Sequence, residues 1–134
     1  MTYALDSNII SRLLRDDDTV YSRYYEALAQ DNHCVIPLIT YFEVKRGLEA
    51  NNAGTKIRSF ERLCTVLGVD DLAIEDVDVA TDIYAKLKLA GLLIGDSDTL
   101  IAATCLAHGY TLVTDNTRHF ERVDGLQIVN WVER

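Results

Sequence analysis

The chain has 134 residues, with 21 acidic and 13 basic side chains, a net charge of −8, 49% hydrophobic residues and a single proline. That composition excludes a disordered chain and points to one domain, long enough to bury roughly two-thirds of its unfolded surface. The acidic balance excludes general binding of nucleic acid by phosphate neutralisation, but not an enzyme whose acidic groups gather around a cation.

Tyr3-Ala4-Leu5 reads as a short apolar strand that stops at Asp6-Ser7-Asn8. Ile9, Ile10, Leu13 and Leu14 then form a helical stripe, with Arg12 and Arg15 toward its outer side. Asp16-Asp17-Asp18 is a turn, and Asp18 or Thr19 is placed to cap a second helix through about Gln30. His33-Cys34-Val35-Ile36 is the next strand, closed by Pro37. Ile39 to Glu49 reads as a helix in which Thr40 and Glu43 have capping-box spacing. Asn51 to Gly54 is a loop, and Lys56 to Leu67 an amphipathic helix with Ile57, Phe60, Leu63, Cys64 and Leu67 on one face. Val69 to Ile74 is read as a strand, and Glu75 to about Ala90 as a helix ended by Gly91.

Asp96, Ser97 and Asp98 offer cap side chains and negative charge to the start of a helix that is almost wholly apolar from Leu100 to Ala107. His108 sits in its last turn and Gly109 supplies the stop. A strand follows with Leu112 and Val113, breaking at Thr114-Asp115-Asn116. Arg118-His119-Phe120 is one helical turn, Leu126 to Val129 a last strand, and Trp131 and Val132 are placed to pack on the edge. Short apolar strands alternating with helices predict an α/β fold with a parallel sheet, in a single domain over residues 1–134.

Cys34, Cys64 and Cys105 are widely spaced and include no C-x-x-C pair, so reduced core thiols are expected rather than zinc or disulfides. The opening residues have no basic or long apolar region, and no run is long enough to span a membrane, which predicts a cytoplasmic protein.

In open α/β sheets, ligands bind beyond the carboxyl ends of the strands. Asp6 and Asp115 follow strands, while Glu43 and Asp98 lie near the starts of helices entered from that same edge. The acidic groups Asp6, Glu43, Asp98 and Asp115 are therefore expected to meet in one cleft. An oxygen-only set of this kind suits Mg²⁺ or Mn²⁺, and without a cation the like charges would raise one another's pKa. Such an ion polarises a phosphoryl oxygen and activates bound water. Each position also has an ordinary role open to it: Asp6 as a turn or cap, Glu43 in the capping box, Asp98 as a first-turn charge, Asp115 in an Asp-Asn turn.

Four blocks in order carry a resemblance: Leu5-Asp6-Ser7-Asn8, Glu43-Val44-Lys45-Arg46-Gly47, Ile94-Gly95-Asp96-Ser97-Asp98-Thr99-Leu100-Ile101-Ala102-Ala103, and Leu112-Val113-Thr114-Asp115-Asn116 followed by Arg118 and Phe120. Nearly the full length resembles the PIN-domain ribonucleases, and most closely the VapC-type toxins of toxin–antitoxin modules. The resemblance implies a three-layer α/β/α sandwich with a central parallel sheet, a homodimer, and Mg²⁺- or Mn²⁺-dependent endoribonuclease activity on an RNA such as tRNA or rRNA. It also implies inhibition by a cognate antitoxin protein.

On that resemblance, Asp6, Glu43, Asp98 and Asp115 match the family's acidic quartet. Asp6 and Asp98 are then direct metal ligands, with Glu43 and Asp115 acting directly or through water. Ser7, Asn8 and Thr114 match its supporting polar positions. Asp96 receives no catalytic role. Arg46 and Arg118 are candidate phosphate contacts, with Arg122 a further one. Tyr24, Tyr25, Tyr41 and Phe42 read as core or interface residues rather than base-stacking groups.

Two other readings compete. One is a phosphotransfer enzyme with Asp6 as nucleophile; such enzymes carry a second Asp two residues on, where this chain has Asn8. The other is a non-catalytic metal- or RNA-binding module of the same fold.

Overall fold

Residues 1–132 are described by a computed structural model. In chain order they form β1 (Thr2–Leu5), α1 (Ser7–Leu14), α2 (Asp18–Ala29), β2 (His33–Pro37), α3 (Leu38–Ala50), α4 (Gly54–Leu67), β3 (Val69–Asp70), α5 (Ile74–Ala90), α6 (Asp96–His108), β4 (Thr111–Val113), α7 (Thr117–Phe120) and β5 (Ile128–Val129). The strands make one sheet in the order β3-β2-β1-β4-β5, and every pairing is parallel.

Successive strand side chains point to opposite faces, and this divides the interior in two. Leu5, Cys34, Ile36 and Val113 face one core, which they share with Ile9, Ile10, Leu13, Val20, Tyr24, Val44 and Phe60 from α1 to α4. Ala4 and Leu112 face the other, with Ile83 and Leu87 of α5, Ile101 to Ala103 and Cys105 of α6, and Phe120 of α7. The expected three-layer α/β/α sandwich follows from that alternation. Right-handed crossovers require the chain to spread one way with helices on one face and the other way with helices on the opposite face. Here β1, β2 and β3 run outward under α1 to α4; β4 and β5 fill the other side of β1 under α5 to α7. The direction of winding therefore reverses between β1 and β4.

Several local expectations change. Of residues Val69 to Ile74 only Val69 and Asp70 pair with β2 and form β3, and Ile74 already belongs to α5. The last strand shortens to Ile128–Val129, after Gly125 at φ +81°. Asp17, not Asp18 or Thr19, caps α2, its Oδ1 accepting from the Val20 N–H at 3.1 Å. The capping box at Thr40 and Glu43 does not form: α3 is entered through Pro37, whose φ of −60° is already helical, so Thr40 lies inside the helix rather than at its cap.

The α6 cap is also not a side chain. It is Gly95, and Asp96 and Asp98 occupy the first turn instead, where their charge still meets the helix dipole. His108 packs antiparallel α6 onto α5: its Nε2 lies 3.1 Å from Oδ1 of the buried Asp76, and its ring stacks on Tyr110. Trp131 goes further than the edge. It is buried in the first core, with its ring set edge-on to Tyr3 at 5.4 Å. All three cysteines are free, with Cys34 and Cys105 buried. Among the described residues no helix is long and apolar enough to cross a membrane.

Gly95 has φ +93° and ψ 158°, a region open in practice only to glycine, yet a Cβ there would touch nothing within 4 Å. Gly95→Ala should therefore cost about 1–3 kcal/mol through backbone strain alone. Urea unfolding checks this, and an unchanged midpoint would mean that the turn adjusts without strain.

Candidate active site

β1 ends where Asp6 turns the chain into α1. Its N–H donates to the Val113 carbonyl at 3.0 Å, and its carbonyl accepts from Ile9 and Ile10 at 3.1 Å each. The carboxylate lies back over the end of the sheet and is only 3% exposed. Its Oδ1 accepts from the Ser7 N–H at 2.8 Å; its Oδ2 accepts from the Thr114 hydroxyl at 2.7 Å and the Asn8 amide at 3.1 Å. Thr114 follows β4, and the pairing of Leu5 with Val113 sets it beside Asp6. Burial pushes the Asp6 carboxyl above its ordinary range; the hydrogen bonds from Thr114 and Ser7 hold it down, and the Asp98 charge adds to the rise.

Glu43 projects from the second turn of α3. Burial raises its carboxyl first, and then the charges of Asp6 and Asp98; Arg46 and the Ser7 side chain oppose them. Its Oε2 lies 4.0 Å from Arg46 Nη2, while its Oε1 is buried with no hydrogen-bond partner. Asp98 stands in the first turn of α6, and its Oδ2 lies 3.0 Å from His119 Nδ1 and 3.4 Å from Asn116 Nδ2. Asn116 Nδ2 and His119 Nδ1 are themselves 3.0 Å apart. A proton on Nδ1 makes His119 a donor to Asp98; a bare Nδ1 makes it an acceptor from Asn116.

Asp6, Glu43 and Asp98 thus sit within electrostatic reach of one another. Asp115 is placed differently. Its side chain is exposed, with Oδ1 accepting from Asn130 Nδ2 at 3.1 Å and Oδ2 lying 3.9 Å from Arg12 Nη2. What binds it to the site is its backbone N–H, which donates to Asn8 Oδ1 at 3.0 Å. The neighbouring Asn116 is the one that reaches Asp98, and its N–H donates to Thr114 Oγ1 at 3.0 Å.

Ser7, Asn8 and Thr114 all lie in this network. Arg46 is at its rim, stacked over Phe42 at 5.0 Å. Arg118 is exposed on α7. Arg122 is turned away and donates to the carbonyls of Leu92 and Leu93 at 3.3 and 3.2 Å. Asn116, His119, Asn130 and Arg12 carry no sequence signal for the parts they play.

Every anionic group at the site takes a donor or cation of its own, and among the described residues no three His, Cys, Asp or Glu side chains form a ready-made ligand cluster. The chemistry of the set nevertheless fits a hard divalent cation. The donors are oxygens, Glu43 Oε1 is orphaned, and two carboxyls are raised by burial and by negative neighbours. A cation held between Asp6, Glu43 and Asp98 would relieve each of these costs.

The family model for the PIN domain matches residues 3–126. The chain is 29% identical over 132 residues to a protein named ribonuclease VapC2 from Rickettsia felis, covering 98% of each. It is 30% identical over 135 residues to a ribonuclease VapC1 from Haemophilus influenzae, covering 99% of this chain and all of that one. The fold superposes with a TM-score of 0.90, at 28% identity over 98% of this chain and 99% of the other, on a chain of the crystal structure of VapBC2 from Rickettsia felis bound to a DNA fragment from their promoter. With the parallel sheet, the winding reversal beside Asp6 and a match along nearly its whole length, this chain belongs to the PIN-domain family, in its VapC group.

Proposed function

We propose that the chain is a divalent-metal-dependent endoribonuclease that acts in the cytoplasm as the toxin of a type II toxin–antitoxin pair. The observation that carries this reading is the buried Asp6 carboxylate, set at the winding reversal within electrostatic reach of Glu43 and Asp98. The ribonuclease names of the full-length relatives supply the reaction class.

Asp6 and Asp98 would hold Mg²⁺ or Mn²⁺ directly. Glu43 and Asp115 would bear on the ion directly or through water, Asp115 from the rim. When bound, the ion polarises the scissile phosphoryl oxygen and lowers the pKa of its water. Ser7, Asn8 and Thr114 hold Asp6 in one rotamer by occupying it on both oxygens. His119 and Asn116 do the same for Asp98 through its Oδ2, so that Asp98 would still have an oxygen for a cation. Glu43, whose carboxyl is raised by burial and by its negative neighbours, is the group that would take a proton from the attacking water. Arg46 and Arg118 supply positive charge at the rim for the phosphates of an RNA such as tRNA or rRNA.

The antitoxin is a separate chain that covers the cleft, and the toxin pairs as a homodimer. The VapBC2 complex of Rickettsia felis supports the antitoxin part of this reading. An Asp6 nucleophile is disfavoured. Enzymes of that kind carry a second Asp two residues on, where this chain has Asn8, and Asn8 is occupied in holding Asp6 and the Asp115 N–H.

RNA cleavage should require Mg²⁺ or Mn²⁺, stop with EDTA, and fall by about 100-fold or more in Asp98→Asn with the circular dichroism spectrum unchanged. Full cleavage by that folded variant removes the metal role.

Glu43 gives a second measurement. A carboxyl raised on folding ionises more readily in the unfolded chain. Its ionised form therefore subtracts stability, and does so increasingly as pH climbs from the ordinary value of 4.5 through the raised folded value. In EDTA at pH 7, Glu43→Gln should melt a few degrees above the wild type. That advantage should vanish below pH 4.5, and the variant should lose most of the rise in Tm produced by Mn²⁺. A variant no more stable than the wild type at any pH rejects the electrostatic account.

A further inference from the structure

Thr40 is fully buried on α3, and its hydroxyl has no hydrogen-bond partner. One helical turn further on, Glu43 Oε1 is in the same condition. Buried polar atoms without partners are rare and each lowers stability, so two on consecutive turns of one helix call for a cause. Capping is not the cause, since α3 is entered through Pro37 and Thr40 is its third residue.

Nor does the Thr40 hydroxyl bond back onto the preceding turn. Other buried helical threonines here do so: Thr99 donates to the Gly95 carbonyl at 2.6 Å and Thr104 to that of Leu100 at 3.0 Å. Thr40 and Val44 make the buried stripe of α3, where a valine would satisfy packing at both positions without an unpaired oxygen. The fold alone gives the hydroxyl no use. Positions three apart on a helix are neighbours, with Cβ atoms about 5–6 Å apart, and a helical threonine has two χ1 wells in which to aim its oxygen.

We propose that Thr40 is a positioning residue of the metal site, whose hydroxyl donates to Glu43 Oε1 when that carboxylate bears on the bound cation. A donor of this kind fixes the rotamer of a ligating carboxylate, and such partners are worth about 10–100-fold in metal affinity. The inference rests on the metal-dependent reading above.

The test uses the full chain, with Mn²⁺ alone as titrant in calorimetry and thermal unfolding in EDTA. Thr40→Val should unfold at or above the wild-type temperature in EDTA, because a methyl replaces an unpaired hydroxyl. It should nevertheless bind Mn²⁺ about tenfold more weakly. Thr40→Ser should restore the affinity. In a Glu43→Gln background, Thr40→Val should cost no further affinity, since the two residues act as one unit. Wild-type affinity in Thr40→Val overturns the inference, as does a loss of stability in EDTA that matches the loss of binding. A wild-type chain that takes up no Mn²⁺ defeats the metal reading itself, and with it this role; uptake by the wild type with no effect of Thr40→Val defeats only the role.

Discussion

A charge buried at the seam where the sheet changes its winding direction is what this structure has to accommodate. Asp6 loses its water on folding and recovers part of that loss through Ser7, Asn8 and Thr114. Two of these partners are local, but Thr114 comes from the other side of the seam, more than a hundred residues along the chain. It meets Asp6 only because Leu5 pairs with Val113 in parallel register. A slip of one residue would turn every strand side chain to the opposite face, exchanging the two cores and separating the hydroxyl from the carboxylate. The core packing and the site are thus fixed by one pairing.

The same region works against stability. Burial and the Asp98 charge raise the cost of ionising Asp6 and Glu43, Asp6 adds to that of Glu43, and Glu43 Oε1 and Thr40 Oγ1 are left without partners. Two cores offset this, one on each face of the sheet, with Phe60, Leu5, Ile9, Ile10 and Ile36 essentially inaccessible on one side and Phe120, Ile101 and Leu112 on the other. Proteins concentrate violations of the packing rules at functional sites. The acidic overall charge has the same logic: it does not attract nucleic acid in general, but a site of negative groups acquires affinity for phosphate once it holds divalent cations.

The turn after β4 shows how finely such a site is assigned. Asp115 and Asn116 are adjacent and both polar, and a strand-end Asp is the natural choice for a ligand. The chain instead aims Asp115 outward to Asn130 and Arg12, and turns Asn116 inward to Asp98 and His119. Thr114 decides this by accepting the Asn116 N–H while it donates to Asp6, and Asn8 completes it by accepting the Asp115 N–H. Asp6 and Asp98 are joined through this one turn.

Much of this was legible in the amino-acid order. Period-two and period-3.6 apolar patterns located almost every element, because burial of one face is a local property of spacing. The alternation of strands and helices implied a parallel sheet; strand-end placement pointed to Asp6 and Asp115, and helix-start placement to Glu43 and Asp98. Caps were less legible: Asp17, Gly95 and Pro37 start helices where neighbouring Asp, Ser and Thr residues looked equally able, since backbone dihedrals rather than side-chain type decided among them. Side-chain aim was not legible at all. The contact of His119 with Asp98, the diversion of Asp115 and the unpaired Thr40 hydroxyl depend on residues brought together from distant parts of the chain. Spacing sets which way a helix or strand turns its apolar face, whereas the direction of a polar side chain is settled by whichever partner the assembled layers place within hydrogen-bond reach.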